Sequence, residues 1–208
     1  MIAFYDRDIK QQLYTGQTWQ TLCQAMIQNL PDDCRSRIER AKAGKPLRIL
    51  IPVGGAGAQR KFIVGLVEAL SPLVKDGKVQ LFLNAGDHAH MKQAFLQVLD
   101  KCGLDFGTVN NTKGVYDFQK ARLNKTEPDK AVTLFHFDEY FPAVATTDIL
   151  CRVTDVLACK PSELAFYAVP KLHIRRVGDH EADSACRSSE LGDGTVEART
   201  IPDAMAFV

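Results

Sequence analysis

LRILIPVGGAGAQRKFIVGLVEAL, residues 47–70, is the stretch on which the fold turns. Its first seven residues form an apolar run interrupted only by Arg48 and Pro52, too short for a helix and closed by glycines, so residues 47–53 read as a buried strand. Gly54, Gly55 and Gly57 supply a turn, after which Phe62, Ile63, Leu66, Val67 and Leu70 recur at helical spacing. The unit is strand, glycine loop, helix. It repeats in VQLFLNAGDHAHMKQAFLQVLDKC, residues 79–102, where Asn84, Ala85, Gly86 and Asp87 divide a strand over residues 79–83 from a helix carrying Met91, Phe95, Val98, Leu99 and Cys102, with Asp87 placed to cap it. Such alternation requires right-handed crossovers. It predicts an α/β, Rossmann-like domain with a parallel sheet and helices on both faces.

Working outward, residues 132–137, 155–159 and 171–177 read as three more strands, followed by helices that begin near Asp138, Pro161 and Asp179. Residues 103–130 are polar and weakly patterned, with a short helix around residues 115–123. Lys171, His173 and Arg175 alternate with Leu172 and Ile174, which describes an edge strand with a wet face and leaves Arg175 and Arg176 available to an anion. Before the sheet, Trp19, Leu22, Cys23, Met26, Ile27 and Leu30 make a helical stripe that Pro31 closes. A second, exposed and peripheral helix runs from Asp32 to Ala43. The organisation expected is a helical N-terminal segment, residues 1–46, and a nucleotide-binding domain, residues 47–208.

Composition narrows the function. Of 208 residues, 26 are Lys or Arg and 25 are Asp or Glu, a net charge of +1 with the signs interspersed, which leaves little for binding nucleic acid. The six cysteines include no CxxC pair and mostly sit among apolar residues, so they read as reduced core thiols rather than metal ligands. No apolar run reaches the roughly 18 to 20 residues that span a bilayer, and the first residues lack a signal-peptide pattern, so no transmembrane segment and a cytoplasmic location are expected.

The chemistry concentrates in loops that follow strands. Gly54, Gly55 and Gly57 precede a helix, where backbone N–H groups and the helix dipole receive anions; the same glycines also serve a tight turn. Arg60 stands where a dinucleotide fingerprint has its last glycine, which disfavours NAD, and no GxxxxGK[ST] motif is present. Asn84 to His88 follow the next strand on the same edge, with His88 and His90 read as solvated or capping. Lys160 follows a strand, Pro161 suits a first helical position, and Ser162 and Glu163 come next. Glu163 is either a helix-capping carboxylate or a bidentate acceptor for two ribose hydroxyls.

The succession of Gly54-Gly55-Ala56-Gly57-Ala58, Asn84-Ala85-Gly86-Asp87-His88, Ser162-Glu163, Pro170 and His180-Glu181 between strands and helices resembles the C-terminal domain of GT-B glycosyltransferases. It is similar to that of the lipid-linked N-acetylglucosaminyltransferase of peptidoglycan synthesis and of galactolipid synthase, over residues 47–208. The resemblance implies a metal-independent domain that binds a UDP-sugar donor. Gly54, Gly55 and Gly57 would approach the diphosphate and Glu163 the ribose, with Asn84, Lys160 and Ser162 completing the nucleotide site and Asp179, His180 and Glu181 facing the donor sugar. The loop before Glu163 lacks the glycine and threonine usual in that family. Residues 1–46 are too few and too helical to supply the acceptor-binding domain, which is expected to be missing or separate together with the catalytic base, so the chain reads as an incomplete or inactive enzyme. Two alternatives stay open: a non-catalytic nucleotide-binding scaffold, and a domain like a nucleotide-sugar epimerase, which would use carboxylates and a histidine near the sugar.

Overall fold

The computed structural model describes residues 19–53, 59–161 and 168–208, with side chains from residue 28 onward except that of His180. Helix α1 (Trp19–Lys42) leads into β1 (Leu47–Pro52), α2 (Arg60–Lys75), β2 (Val79–Asn84) and α3 (Ala89–Cys102). There follow β3 (Phe106–Val109), α4 (Thr112–Leu123), β4 (Val132–Phe135), α5 (Tyr140–Leu150), β5 (Val156–Cys159) and β6 (Lys171–His173). A short 3-10 turn (Asp179–Glu181), α6 (Ala182–Glu190) and α7 (Ile201–Ala206) complete the described chain.

All pairings among the six strands are parallel, in the order β3-β4-β2-β1-β5-β6. The α/β class with helices on both faces follows from strand alternation. Ile49, Ile51, Leu81 and Leu83 point into a core shared with Leu66 and Leu70 of α2 and Phe95 of α3. Leu50, Phe82 and Phe135 point the other way, against Val115 of α4 and Ile149 of α5. Ile49, Leu50 and Ile51 are wholly buried, each worth about 1.5 to 3 kcal/mol of apolar transfer.

Several expectations need correcting. Pro31 lies inside a continuous α1 rather than between two helices: it removes one intrahelical hydrogen bond without ending the element. Nor is the second half of α1 peripheral. Arg37 donates to the carbonyls of Thr154 and Cys151, and Asp33 receives both Nε and a terminal nitrogen of Arg152. The polar stretch before β4 contains β3, whose Phe-Gly-Thr-Val sequence lies only half buried at the sheet's outer edge and so lacks an apolar signature. At the opposite edge β6 is not wet. Residues 193–198 run beside it, with Lys171 N donating to Asp193 O and Ala198 N to His173 O, and this cover buries Lys171 and His173. Cys151 and Cys159 are core thiols, whereas Cys34 and Cys186 are exposed.

Candidate functional site

Parallel strands send all their carboxyl ends to one edge, and the winding of this sheet reverses about β1. Strands β2, β4 and β3 are laid on one side of it and β5 and β6 on the other. Open α/β sheets bind ligands at such a reversal. The register shows the sheet opening there. β1 stays paired with β2 as far as Pro52 and Asn84, but with β5 only at Ile49↔Val156 and Leu50↔Leu157. Beyond those pairs the two strands part.

Pro52 fits this divergence. Val53 N donates to Asn84 O on the β2 side, so by the alternation of a strand the amide of residue 52 faces β5. Proline has no N–H to leave orphaned where the ladder is open. The sequence therefore marks the crevice by the residue that interrupts its strongest strand.

Around the crevice the charged groups divide into committed and uncommitted. Lys160, directly after β5, donates to Glu181 Oε1 at 2.8 Å, and Glu181 Oε2 accepts from Val177 N at 2.8 Å. Glu181 is 1% exposed. Burial would raise its carboxyl, but the hydrogen bonds from Lys160 and the Val177 amide outweigh burial and leave it below the ordinary carboxylate range. It is thus an internal clamp on the loop after β6 and does not face a donor sugar. Asp179 is its opposite, 97% exposed and paired with Arg176 at 3.1 Å. Arg176 also binds Glu197, through its backbone N at 3.1 Å and its guanidinium at 3.2 Å. Arg175 is exposed, and among the described residues it has no ion pair. Its backbone carbonyl accepts from Gln59 Nε2, a bond that ties the start of α2 to the loop after β6 across the end of β5. Gln59 adopts a left-handed backbone, φ 69°, at this junction.

On the other side of β1, Asn84 is 2% exposed and spends its side chain internally. Its Nδ2 donates to Ala143 O and Thr147 Oγ1, each at 3.1 Å, and its Oδ1 accepts from Gly86 N at 3.0 Å. Rather than presenting an amide to a nucleotide, it anchors the β2 turn to α5. That turn needs glycine at residue 86, where φ is +62°. His88, not Asp87, is the N-cap of α3 and makes no side-chain cap bond; its extended backbone brings its ring centroid within 5.5 Å of that of His90. The two rings are neighbours, against the divergence expected of i, i+2 residues on a helix. His136, after β4, sets Nδ1 2.9 Å from Gly86 O. A carbonyl only accepts, so Nδ1 carries the hydrogen and Nε2 is the basic nitrogen.

Of the residues singled out from sequence, Gly54, Gly55, Gly57, Ser162 and Glu163 lie outside the described residues, as does the His180 side chain. Lys160 and Asp179 stand on the expected edge. Sequence reasoning missed Gln59, Arg175 as a group tied to α2, and His136. The signal for His136 was its position one residue past the apolar run of β4; Gln59 had none. Among the described residues no three His, Cys, Asp or Glu side chains form a metal-binding group, and no helix is long and apolar enough to cross a membrane.

A family model described as a domain of unknown function, DUF6938, matches residues 10–208, and the chain belongs to that family. The match runs across residues 46 and 47, so α1 and the sheet fall within one family unit. No curated protein matches the chain.

Proposed function

We propose that this chain binds a phosphorylated sugar at the carboxyl edge of its sheet, over the parted ends of β1 and β5. The observation that carries the reading is the reversal of winding at β1 together with the early end of its pairing to β5. The glycine sequence at residues 54–58 joins this opening to the first turn of α2, a helix of 16 residues, where exposed N–H groups suit phosphate oxygens. Arg175 adds an exposed cation that has no ion pair among the described residues. In the glycosyltransferase-like form of the proposal the ligand is a UDP-sugar, with Glu163 on the ribose hydroxyls and Lys160, Asp179 and His180 beside the donor. Asn84 and Glu181 drop out of that set, because their polar atoms already have internal partners.

Calorimetric titration and thermal shifts with UDP, GDP, UDP-sugars, NAD and hexose phosphates test this. Selective stabilisation by UDP and its sugars supports the donor-binding form, and Glu163→Ala then weakens UDP by about 1.5 to 3 kcal/mol. Stabilisation by hexose phosphates alone keeps the site and discards the nucleotide. No shift with any of them favours the scaffold reading.

A second reading, an enzyme of the epimerase or isomerase kind that moves protons on a phosphorylated sugar, is favoured by His136. Its tautomer is fixed by Gly86 O, and Asp87 and His88 follow the neighbouring strand, which gives acid and base groups on one edge. Solvent deuterium entering a sugar phosphate C–H bond, and failing to enter with His136→Gln, supports it. Exchange unaffected by that change removes His136 from the chemistry.

A further inference from the structure

The amino edge of the sheet, opposite the crevice, holds a cavity of about 320 Å³ between α1, the end of α4 and the starts of β1 and β5. Arg37, Arg40, Arg48, Arg122 and Arg152 line it. Three carboxylates pair with these five guanidinium groups, and the charge of Asp129 also acts on Arg122. Glu127 takes Arg40 at 2.8 Å and Arg48 at 3.1 Å, Asp33 takes Arg152 at 3.1 Å, and Asp155 lies 3.7 Å from Arg40. Arg37 donates to two backbone carbonyls and to the Cys34 sulfur, and Arg122 to the Thr126 carbonyl and the face of Phe118. Neither has an ion pair among the described residues.

The rim does not make up the deficit, because Arg35 is paired with Asp32 and Lys125 with Glu39. Arg122 is 9% exposed, and its Nε, like that of Arg40, has no hydrogen-bond partner among the described residues. Burial, with Arg40 next to it, holds the Arg48 guanidinium below its ordinary value, and burial with Arg48 does the same to Arg122. Burial raises Asp155 in spite of the Arg48 amide and the Arg40 charge. A cluster of half-buried guanidinium groups that outnumber the carboxylates beside them, in a cavity of ligand size, asks for an anion with several acceptors.

We propose that this cavity binds a tetrahedral oxyanion, inorganic phosphate or the phosphate of a monoester, between the guanidinium groups of Arg37, Arg40, Arg122 and Arg152. The site lies at the opposite edge of the sheet from the proposed sugar-phosphate crevice and stands or falls separately from it. Titration of the intact chain with inorganic phosphate, glycerol phosphate and succinate, followed by arginine Nε–H NMR signals and by melting temperature, tests it. Saturable shifts of these signals and a raised melting temperature are expected with phosphate, glycerol phosphate or both, and not with the planar carboxylates of succinate. Which of the two phosphates binds more tightly identifies the source. Arg40→Gln weakens binding at least about tenfold, and Arg40→Lys, which keeps the charge and loses the fork, weakens it as well. The wild-type NMR titration decides if Arg40→Gln does not fold. No saturable shift, an equal response to succinate, or binding that survives Arg40→Lys and disappears in Arg175→Gln would overturn the proposal.

Discussion

The amino and carboxyl edges of this sheet both carry arginine, lysine and buried carboxylates, yet they use them differently. At the amino edge, Arg48 and Gln80 project from the second residues of β1 and β2, and both reach Glu127, as does Arg40 of α1. Side chains there fill the gaps between strand starts and attach a helix. At the carboxyl edge the backbone itself separates, and the buried Lys160–Glu181 pair serves to hold a loop. A shared carboxylate that gathers donors from three elements makes a structural hub, while a pair that fastens a loop beside diverging strands makes a hinge post for a site. If that distinction is right, damage to the clamp and damage to the hub will differ in size and in pH dependence.

The largest effect is expected from Glu181→Ala, which leaves Lys160 beside a buried space and two backbone amides without an acceptor. Removal of one partner of a buried pair costs about 3 kcal/mol, and a double replacement, Lys160→Met with Glu181→Met, recovers most of it. Urea melts of the three variants measure this. A double variant as unstable as Glu181→Ala would show that the loop depends on the amides and not on the ion pair.

Next comes Gly194→Ala. A methyl group there would lie 2.8 Å from both His173 Nε2 and Ser188 Oγ. The serine can rotate away, but the imidazole is fixed on β6 beneath residues 193–198, so a loss of about 1 to 3 kcal/mol is expected in the same melts. Wild-type stability in Gly194→Ala would mean that the cover over β6 is loose.

These two positions also show what could be read from the chain beforehand. β1 and β2 announce themselves because strands buried on both faces are apolar throughout, and the helices after them because their apolar residues recur every three or four positions. The amino-edge cluster does not, since Arg37, Arg40, Arg48, Arg122 and Arg152 become neighbours only once α1 and the end of α4 are brought against the starts of β1 and β5. Lys171 and His173 looked solvent-facing for the same reason. Their alternation with Leu172 and Ile174 is that of an edge strand, and nothing local reveals that residues 193–198 return to cover it. At the site, the edge was legible from the order of strand and loop, while the engagement of Asn84 and Glu181 was not, because a polar residue after a strand looks the same whether it faces a ligand or its own backbone.

Acid stability separates the hub from the β6 core. Burial acts to raise Glu127, but hydrogen bonds from Gln80 and Arg40 and the Arg48 charge bring its carboxyl from 4.5 down to about 2. Its stabilisation is therefore present above pH 4.5 and lost as pH falls toward about 2; with a third of the side chain exposed, about 1 to 2 kcal/mol is expected. Burial and the Lys171 charge lower His173, so the unfolded imidazole takes up a proton near 6.5 that the folded one refuses, and stability declines as pH falls below 6.5. Melts across this range should show two limbs. Glu127→Gln removes the lower and His173→Leu the upper; a single limb untouched by His173→Leu would place the early loss elsewhere.

The smallest effect on folding, and the sharpest on the comparison, is expected from Arg175→Gln. The exposed guanidinium has no ion pair among the described residues, and the bond from Gln59 goes to the backbone carbonyl, which the substitution keeps. Stability should change by no more than about 0.5 kcal/mol. If the crevice binds a phosphorylated sugar, the same variant loses one charge-assisted contact and should bind it about tenfold more weakly, with the melting temperature of the free protein unaltered. Such a split between affinity and stability is what separates a binding edge from a structural one. Were Arg175→Gln to lower stability and spare affinity, the carboxyl edge would be a second structural hub, and the phosphorylated-sugar reading would lose its uncommitted cation.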